Sequence, residues 1–159
     1  MRQIQLMLCC WLGCWVPSLA LAQQGSSNWA EPTRHALWLE GNWYAPATPD
    51  MLVVGYEYTY GRSRDGALQG SIRMGVGTLG SLREMRATNW AFPITHHLSI
   101  GSQAHRLETA IGVAYLTDSP LRFLPIVQIG YRYQPRSRGL TWRVHIGSPG
   151  IGASVGWAF

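Results

Sequence analysis

The chain ends in Ala153-Ser154-Val155-Gly156-Trp157-Ala158-Phe159, "ASVGWAF", and this stretch decides the fold. Large apolar side chains at Val155, Trp157 and Phe159 alternate with glycine, serine or alanine. Because successive side chains of a β-strand point to opposite faces, the pattern predicts a strand with one bulky apolar face and one small face. Terminal residues of soluble proteins are usually polar and frayed, so we expect these residues to be held in a sheet against an apolar environment.

The same alternation recurs along the chain in segments of about ten residues separated by turn residues, a pattern typical of membrane barrels. After residue 22, no stretch approaches the roughly 20 apolar residues that a membrane helix needs. The alternation predicts an even number of strands, near residues 36–44, 51–60, 67–78, 89–100, 105–116, 122–133, 139–147 and 150–159.

The two faces of these predicted strands differ in bulk as well as in polarity. One face is rich in aromatic and branched side chains, with His96 as its one ionisable group, whereas the other carries charged, small and polar residues. A soluble barrel would have to enclose the side chains of the bulky face, and their volume exceeds the interior of a small barrel. We therefore expect lipid outside and a narrow polar lumen inside. The predicted fold is all-β: an eight-stranded antiparallel up-and-down transmembrane β-barrel spanning residues 35–159.

Residues 1–22 have the features of a cleaved signal peptide. Arg2 precedes an apolar stretch, and Ala20-Leu21-Ala22 forms an A-x-A cleavage site before Gln23. All three cysteines lie in this segment, so the mature chain would have no disulfide. An alternative is a lipoprotein signal in which Cys14 is lipidated, although the residues before it match that pattern poorly. Residues 23–34 are predicted to form a lead segment before the barrel.

The chain carries a net positive charge, and arginine supplies all of its permanently charged basic side chains. The sequence has 13 basic and 8 acidic residues, and none of the basic ones is lysine. A basic balance suits nucleic acid or a phosphate-rich membrane surface. Because an exported chain has little access to nucleic acid, we expect outer-membrane lipid and lipopolysaccharide as partners, no nucleic acid, and a monomer.

Charged residues on the small face are balanced in sign. Isolated charges in a lumen would be strongly destabilising, whereas paired and hydrogen-bonded charges are tolerated. A gate or proton path is one interpretation. An eight-stranded barrel has room only for side chains, which favours a salt-bridge network that fills the lumen. The predicted network consists of Glu40, Glu57, Arg73, Glu108, Arg132 and Arg143.

Aromatic residues gather at both ends of the predicted strands, as in the interfacial girdles of membrane proteins. The connections on the side of the chain termini are short, and the longest, 78–89, lies on the opposite side, which we expect to face outward. The outer girdle is predicted to contain Trp43, Tyr44, Trp90, Phe92, Tyr115 and Phe123. The periplasmic girdle is predicted to contain Tyr58, Tyr60, Tyr131, Tyr133, Trp142, Trp157 and Phe159.

His97-Leu98-Ser99 has the H-x-S spacing of outer-membrane lipid A deacylases, in which histidine activates serine and a glutamate orients the histidine. The predicted topology places both side chains inside the lumen and far from the outer leaflet, so we expect no catalytic residue. His96 and His97 point to opposite faces and cannot chelate one metal together. We expect neither metal nor cofactor. Arg83, Glu84 and Arg86, in the longest loop, contact lipopolysaccharide phosphates or are simply solvated.

The chain resembles the small eight-stranded Gram-negative outer-membrane proteins of the OmpA/OmpX-like type. It is also similar to barrels of Bacteroidetes-type bacteria with stretches like "GYRYQP" (130–135) and "LETAIGVAYL" (107–116). Val155-x-Trp157-x-Phe159 resembles the β-signal that the outer-membrane assembly machinery recognises. The resemblance implies an outer-membrane location with that machinery as a partner, and it is nearly silent about activity. We expect a non-enzymatic structural or surface-interaction protein; the alternatives are a lipid A-modifying enzyme and a narrow channel.

Overall fold

The computed structural model of the protein describes residues 33–43, 51–80, 89–101, 104–135, 138–148 and 150–159. Each strand pairs antiparallel with the next, and β1 pairs with β8, so the sheet closes on itself. This confirms the predicted all-β class with eight antiparallel strands in an up-and-down barrel. Within the described residues, no helix is long and apolar enough to cross a membrane. The strands are β1 (His35–Trp43), β2 (Met51–Arg62), β3 (Leu68–Leu79), β4 (Asn89–Ile100), β5 (His105–Leu116), β6 (Phe123–Tyr133), β7 (Gly139–Gly147) and β8 (Gly150–Ala158).

The register of the strands sets the tilt of the barrel wall. We start at Tyr133 of β6 and move from each residue to its partner on the next strand. After a full circuit of the barrel, this path returns to β6 at Phe123 rather than at Tyr133. The offset of about ten residues is the shear of the barrel, which determines the tilt of its strands. At the closing seam, the amide of Phe159 donates to the carbonyl of His35 at 2.8 Å, and the amide of His35 donates back at 3.3 Å. The final residue is therefore held in the wall, as the alternation in "ASVGWAF" predicted.

The wall has two faces that follow the period of two in the sequence. Ile129 is 58% exposed, whereas its neighbour Gln128 is 6% exposed and points inward. The same alternation runs through the strands, and it places most bulky apolar side chains outside and mainly charged, polar and small ones inside. Apolar residues that nevertheless point inward include Trp38, Met51, Val53 and Ile126. Small inner residues matter because a narrow barrel leaves little room for bulk.

The two ends of the barrel also differ, and we name them by their connections. The turn end is the one at which β2 is followed by β3, β4 by β5, and β6 by β7, and at which β1 begins and β8 ends; the loop end is the opposite one. The predicted signal peptide, most of the lead segment, Tyr44 and the loop containing Arg83, Glu84 and Arg86 lie outside the described residues.

At the loop end, β6 extends beyond its partner β7 and exposes a short edge. The last pair between the two strands is Gln128 with Gly147. Ser148 covers the edge beyond it: its amide donates to the Val127 carbonyl at 2.9 Å, and its hydroxyl donates to the Pro125 carbonyl at 2.8 Å. Pro125 itself has no N–H to leave unpaired. An unpaired strand edge invites association with another chain, so this arrangement protects the barrel.

Candidate functional site

A tryptophan lies at the centre of the lumen. Trp38 is 2% exposed and shares the inward parity of Glu40 on β1. The guanidinium carbons of Arg73, Arg132 and Arg143 lie 5.1, 5.0 and 5.8 Å from its ring centroid. Cations at this distance are attracted to the ring face, most strongly when they are desolvated. Trp38 was not among the predicted lumen residues, although its parity with Glu40 places it inside.

The first contacts among the lumen charges join four strands, β3, β1, β7 and β5. Nη1 of Arg73 lies 2.7 Å from Oε2 of Glu40, and the same carboxylate oxygen also accepts from Nη2 of Arg143. Nη1 of Arg143 donates to Oε1 of Glu108 at 2.7 Å. Arg143 therefore bridges two carboxylates that belong to β1 and β5.

The remaining contacts continue from Glu108. Nη1 of Arg132 donates to Oε2 of Glu108 at 3.0 Å and to Oε1 of Glu57 at 2.6 Å. The six residues proposed as a network therefore form one series of alternating charge, which we call the lumen charge chain. It runs Arg73, Glu40, Arg143, Glu108, Arg132, Glu57.

The two ends of the lumen charge chain are neighbours in the sheet. Glu57 and Arg73 are paired across β2 and β3, yet their ion partners are Arg132 and Glu40, respectively. The chain thus runs around Trp38 and nearly closes on itself. All of its side chains are buried, and ionised groups at such depth are tolerated only because opposite charges surround them.

A seventh inward charge was not anticipated. Arg106 is 5% exposed and donates from Nη2 to the carbonyl of Gly66 at 3.0 Å, near the turn end. The predicted balance of three carboxylates against three arginines was therefore incomplete, since Arg106 also points inward. The signal was available, because Arg106 shares the parity of Glu108 on β5.

Amide side chains close the turn end of the lumen. Nε2 of Gln69 donates to Oγ1 of Thr59 at 3.1 Å and to Oε1 of Gln134 at 3.3 Å. Arg62 donates from Nε to Oε1 of Gln69 at 3.0 Å. These contacts span β2, β3 and the segment after β6, so the amides lie across the opening.

His97 is held between a hydroxyl and a carboxylate. Its Nε2 lies 2.7 Å from Oγ1 of Thr95, and its Nδ1 lies 3.0 Å from Oε1 of Glu108 and 3.1 Å from Nη1 of Arg143. Ser99 shares the inner face and is buried, but the hydroxyl that His97 contacts belongs to Thr95. The H-x-S spacing thus brings both residues to one face without joining them. Among the described residues, no group of three His, Asp or Glu side chains could hold a metal ion.

A small cavity lies in the loop half of the lumen. Its apolar lining includes Met51, Val53, Pro93 and Ile126, and Arg73 is among its charged lining residues. The centre of a water molecule can move through about 20 Å³ of this space, which is room for about one water molecule.

The outer face carries aromatic side chains near both ends. At the loop end, the ring of Tyr115 lies 6.4 Å from Phe92 and 5.5 Å from Phe123, between centroids. At the turn end, Tyr133 stacks on Trp142 at 5.9 Å. The structure places the described members of the two predicted girdles on the outer face: Trp43, Trp90, Phe92, Tyr115 and Phe123 toward the loop end, and Tyr58, Tyr60, Tyr131, Tyr133, Trp142, Trp157 and Phe159 toward the turn end.

Three histidines, rather than His96 alone, belong to the outer face. The prediction of a single one was wrong because β1 begins one residue earlier than expected, at His35, and because His105 at the start of β5 was overlooked. One ring nitrogen of each of these three histidines lies within hydrogen-bonding distance of a tyrosine hydroxyl. The pairs are His35 with Tyr56, His96 with Tyr60, and His105 with Tyr131.

The Tyr60 ring reaches His96 by crossing an entire strand. Tyr60 belongs to β2 and His96 to β4, and Gly70 of β3 lies between them with no side chain to obstruct the ring. A Cβ atom at Gly70 would collide with the Tyr60 hydroxyl and ring. The absence of a side chain at Gly70 therefore permits this close approach on the outer face.

Replacing Gly70 by alanine should displace Tyr60 and separate its hydroxyl from His96. We expect a loss of about 0.5–1.5 kcal/mol in the free energy of unfolding, the usual net contribution of one hydrogen bond, because both partners are half-buried. Gly41→Ala is the control, because a Cβ there would sit at an ordinary 3.5 Å from the Trp43 ring. Urea titrations of the two variants would measure the difference, and equal stability would contradict the role given to Gly70.

Comparisons with known proteins inform the fold. No family model matches the chain, and no curated protein does. Among solved structures, the chain is similar to a protein described as "De novo design of transmembrane beta-barrels", with 17% sequence identity and a TM-score of 0.57. The match covers 82% of this chain and 97% of the designed one. At this identity, the likeness establishes for this chain the fold of a closed β-barrel.

Proposed function

We propose that the protein is a non-enzymatic outer-membrane β-barrel whose lumen is filled by side chains and whose role is structural or one of surface interaction. The observation that carries the proposal is the outer face, on which exposed apolar side chains encircle the barrel between two bands of aromatics. Water would strongly disfavour so much apolar surface, whereas a bilayer favours it.

Several finer parts of the proposal rest on sequence features. An A-x-A site at 20–22 supports export, and Val155-x-Trp157-x-Phe159 supports recognition by the outer-membrane assembly machinery. The similarity to OmpA/OmpX-like proteins supports the same location. With short turns at one end, the turn end would face the periplasm and the loop end the lipopolysaccharide. We propose that the barrel works as a monomer, since the membrane covers its apolar face.

The burial of the lumen charges supports a role without catalysis. A deacylase would need a hydroxyl, an imidazole and a carboxylate that an ester can reach. Thr95, His97 and Glu108 provide those groups at hydrogen-bonding distance, but all three are buried and the adjoining cavity accommodates about one water molecule. The amides at Gln69 and Gln134 lie across the opposite opening, which likewise favours a filled lumen over a channel.

Single cysteines in the chain from Gln23 onward test the location and the orientation. Asp118, in the β5–β6 loop, and Arg64, in the β2–β3 turn, are both exposed. In a Gram-negative host, Asp118→Cys should react with a membrane-impermeant maleimide on intact cells, whereas Arg64→Cys should react only after the outer membrane is permeabilised. Labelling of Arg64→Cys alone on intact cells would reverse the orientation. Labelling of neither, with the protein in the soluble fraction, would contradict the proposal.

A further inference from the structure

Among the residues that the structure describes, exposed positive charge is concentrated at the turn end. Arg34 precedes β1, Arg64 lies in the β2–β3 turn and Arg138 precedes β7, and all three side chains are exposed. We call these three the turn-end arginines. Arg62 is nearby but half-buried and donates to Gln69, so it is not included.

One carboxylate accompanies them in the described turns. Asp65 accepts from the hydroxyl of Ser63 at 2.5 Å and from the amide of Ala67 at 3.0 Å. These two hydrogen bonds hold the pKa of Asp65 below its usual range, so the group is ionised at neutral pH. It offsets one of the three positive charges, and the turn end keeps an excess of positive charge.

The described part of the loop end has no such excess. The exposed charged side chains in that part are Asp118 and Arg122, whose opposite charges cancel. In the described part of the chain, the two ends of the barrel therefore differ in exposed charge.

Two of the turn-end arginines directly precede strands whose outer faces carry aromatic rings. Arg34 is followed by His35, whose ring lies 5.4 Å from Tyr58 and 5.9 Å from Phe159. Arg138 directly precedes β7, which carries Trp142 in contact with the tyrosines of β6. Rings of this kind settle at the level of lipid headgroups, which places neighbouring guanidinium groups at the level of the phosphates.

We propose that the turn end binds the phosphate groups of anionic phospholipids in the leaflet that adjoins it. Guanidinium groups form charge-assisted, often bidentate hydrogen bonds with phosphate. Each basic side chain close to an anionic bilayer surface adds to the attraction, which decays within a Debye length. This inference rests on the proposed function, because it requires a barrel that spans a bilayer.

Unfolding in vesicles of two compositions tests this. The chain from Gln23 onward is folded into phosphatidylcholine vesicles, or into vesicles that also contain phosphatidylglycerol of the same acyl chains, and urea unfolding is followed by tryptophan fluorescence. At low salt, phosphatidylglycerol should lower the unfolding constant of the wild type by about tenfold or more. The triple variant R34Q/R64Q/R138Q should lose that gain, and Arg122→Gln should retain it.

Two further measurements distinguish lipid from free phosphate as the source of the stabilisation. At high salt the gain should vanish, because the Debye length shortens to about 3 Å at 1 M. Soluble glycerol phosphate added to phosphatidylcholine vesicles should not reproduce it, and an equal gain there would indicate free phosphate rather than lipid. A triple variant that responds to phosphatidylglycerol like the wild type would overturn the inference about the turn-end arginines but not the proposed membrane barrel. Failure to insert into either vesicle would contradict the membrane barrel itself.

Discussion

Replacing Arg132 by methionine is expected to lower the free energy of unfolding by about 3–5 kcal/mol, the cost of breaking a buried ion pair from one side. Arg132 is fully buried, with 0% exposure, and bridges Glu57 and Glu108. In the lumen charge chain, Glu57 is the terminal carboxylate and its ion partner is Arg132. Removing that arginine leaves a buried carboxylate with no compensating charge in contact, while Glu108 keeps Arg143 and His97.

The double variant E57Q/R132M separates pairing from packing. When both charges are removed, no uncompensated carboxylate remains, so the double variant should be more stable than R132M alone. Urea titrations of the folded barrel, with folding scored by the heat-dependent shift in gel mobility, would measure both. If R132M were as stable as the wild type, the lumen charge chain would contribute nothing to stability.

The architecture of the barrel could be predicted because a period of two needs no knowledge of distant contacts. The side-chain parity that places Ile129 outside and Gln128 inside is local to β6, and the same holds for each strand. Strand ends were predicted to within about two residues, since turn residues mark them; β2 continues to Arg62, beyond the predicted end at 60. The bulk of the apolar face predicted that this face lies outside the barrel.

The pairing within the lumen could not be predicted, because it depends on closure and shear. Glu40 and Arg143 are 103 residues apart in sequence, and their strands, β1 and β7, are separated by β8. Glu57 and Arg73 are directly paired across adjacent strands, yet each has its ion partner elsewhere. Parity establishes that these side chains point inward, but the tilt of the wall decides which of them meet.

On the outer face, too, contacts between distant residues could not be predicted from the local sequence. Nothing local to β2 or β4 indicates that Tyr60 and His96 meet, because the contact requires a glycine at the right height on β3. Trp38 and Arg106, by contrast, had the correct parity in the sequence and could have been identified from it.

Arginine placed at two depths on the outer face tests whether this face contacts the hydrocarbon of a bilayer. Ile129 lies in the middle of β6 and is 58% exposed, and Leu140 lies at the turn end of β7 and is 55% exposed. Both substitutions introduce the same side chain at nearly equal exposure. They differ in the depth that the side chain would occupy in a membrane.

The measurement is the free energy of unfolding of Ile129→Arg and Leu140→Arg in phosphatidylcholine vesicles. The bilayer account predicts a loss of about 2–4 kcal/mol for Ile129→Arg and about 0–1 kcal/mol for Leu140→Arg, because the cost of a lipid-facing arginine falls from the midplane to the interface. If the outer face contacted water, both exposed substitutions would stay within about 0.5 kcal/mol of the wild type. Equal and small effects at the two positions would contradict the account.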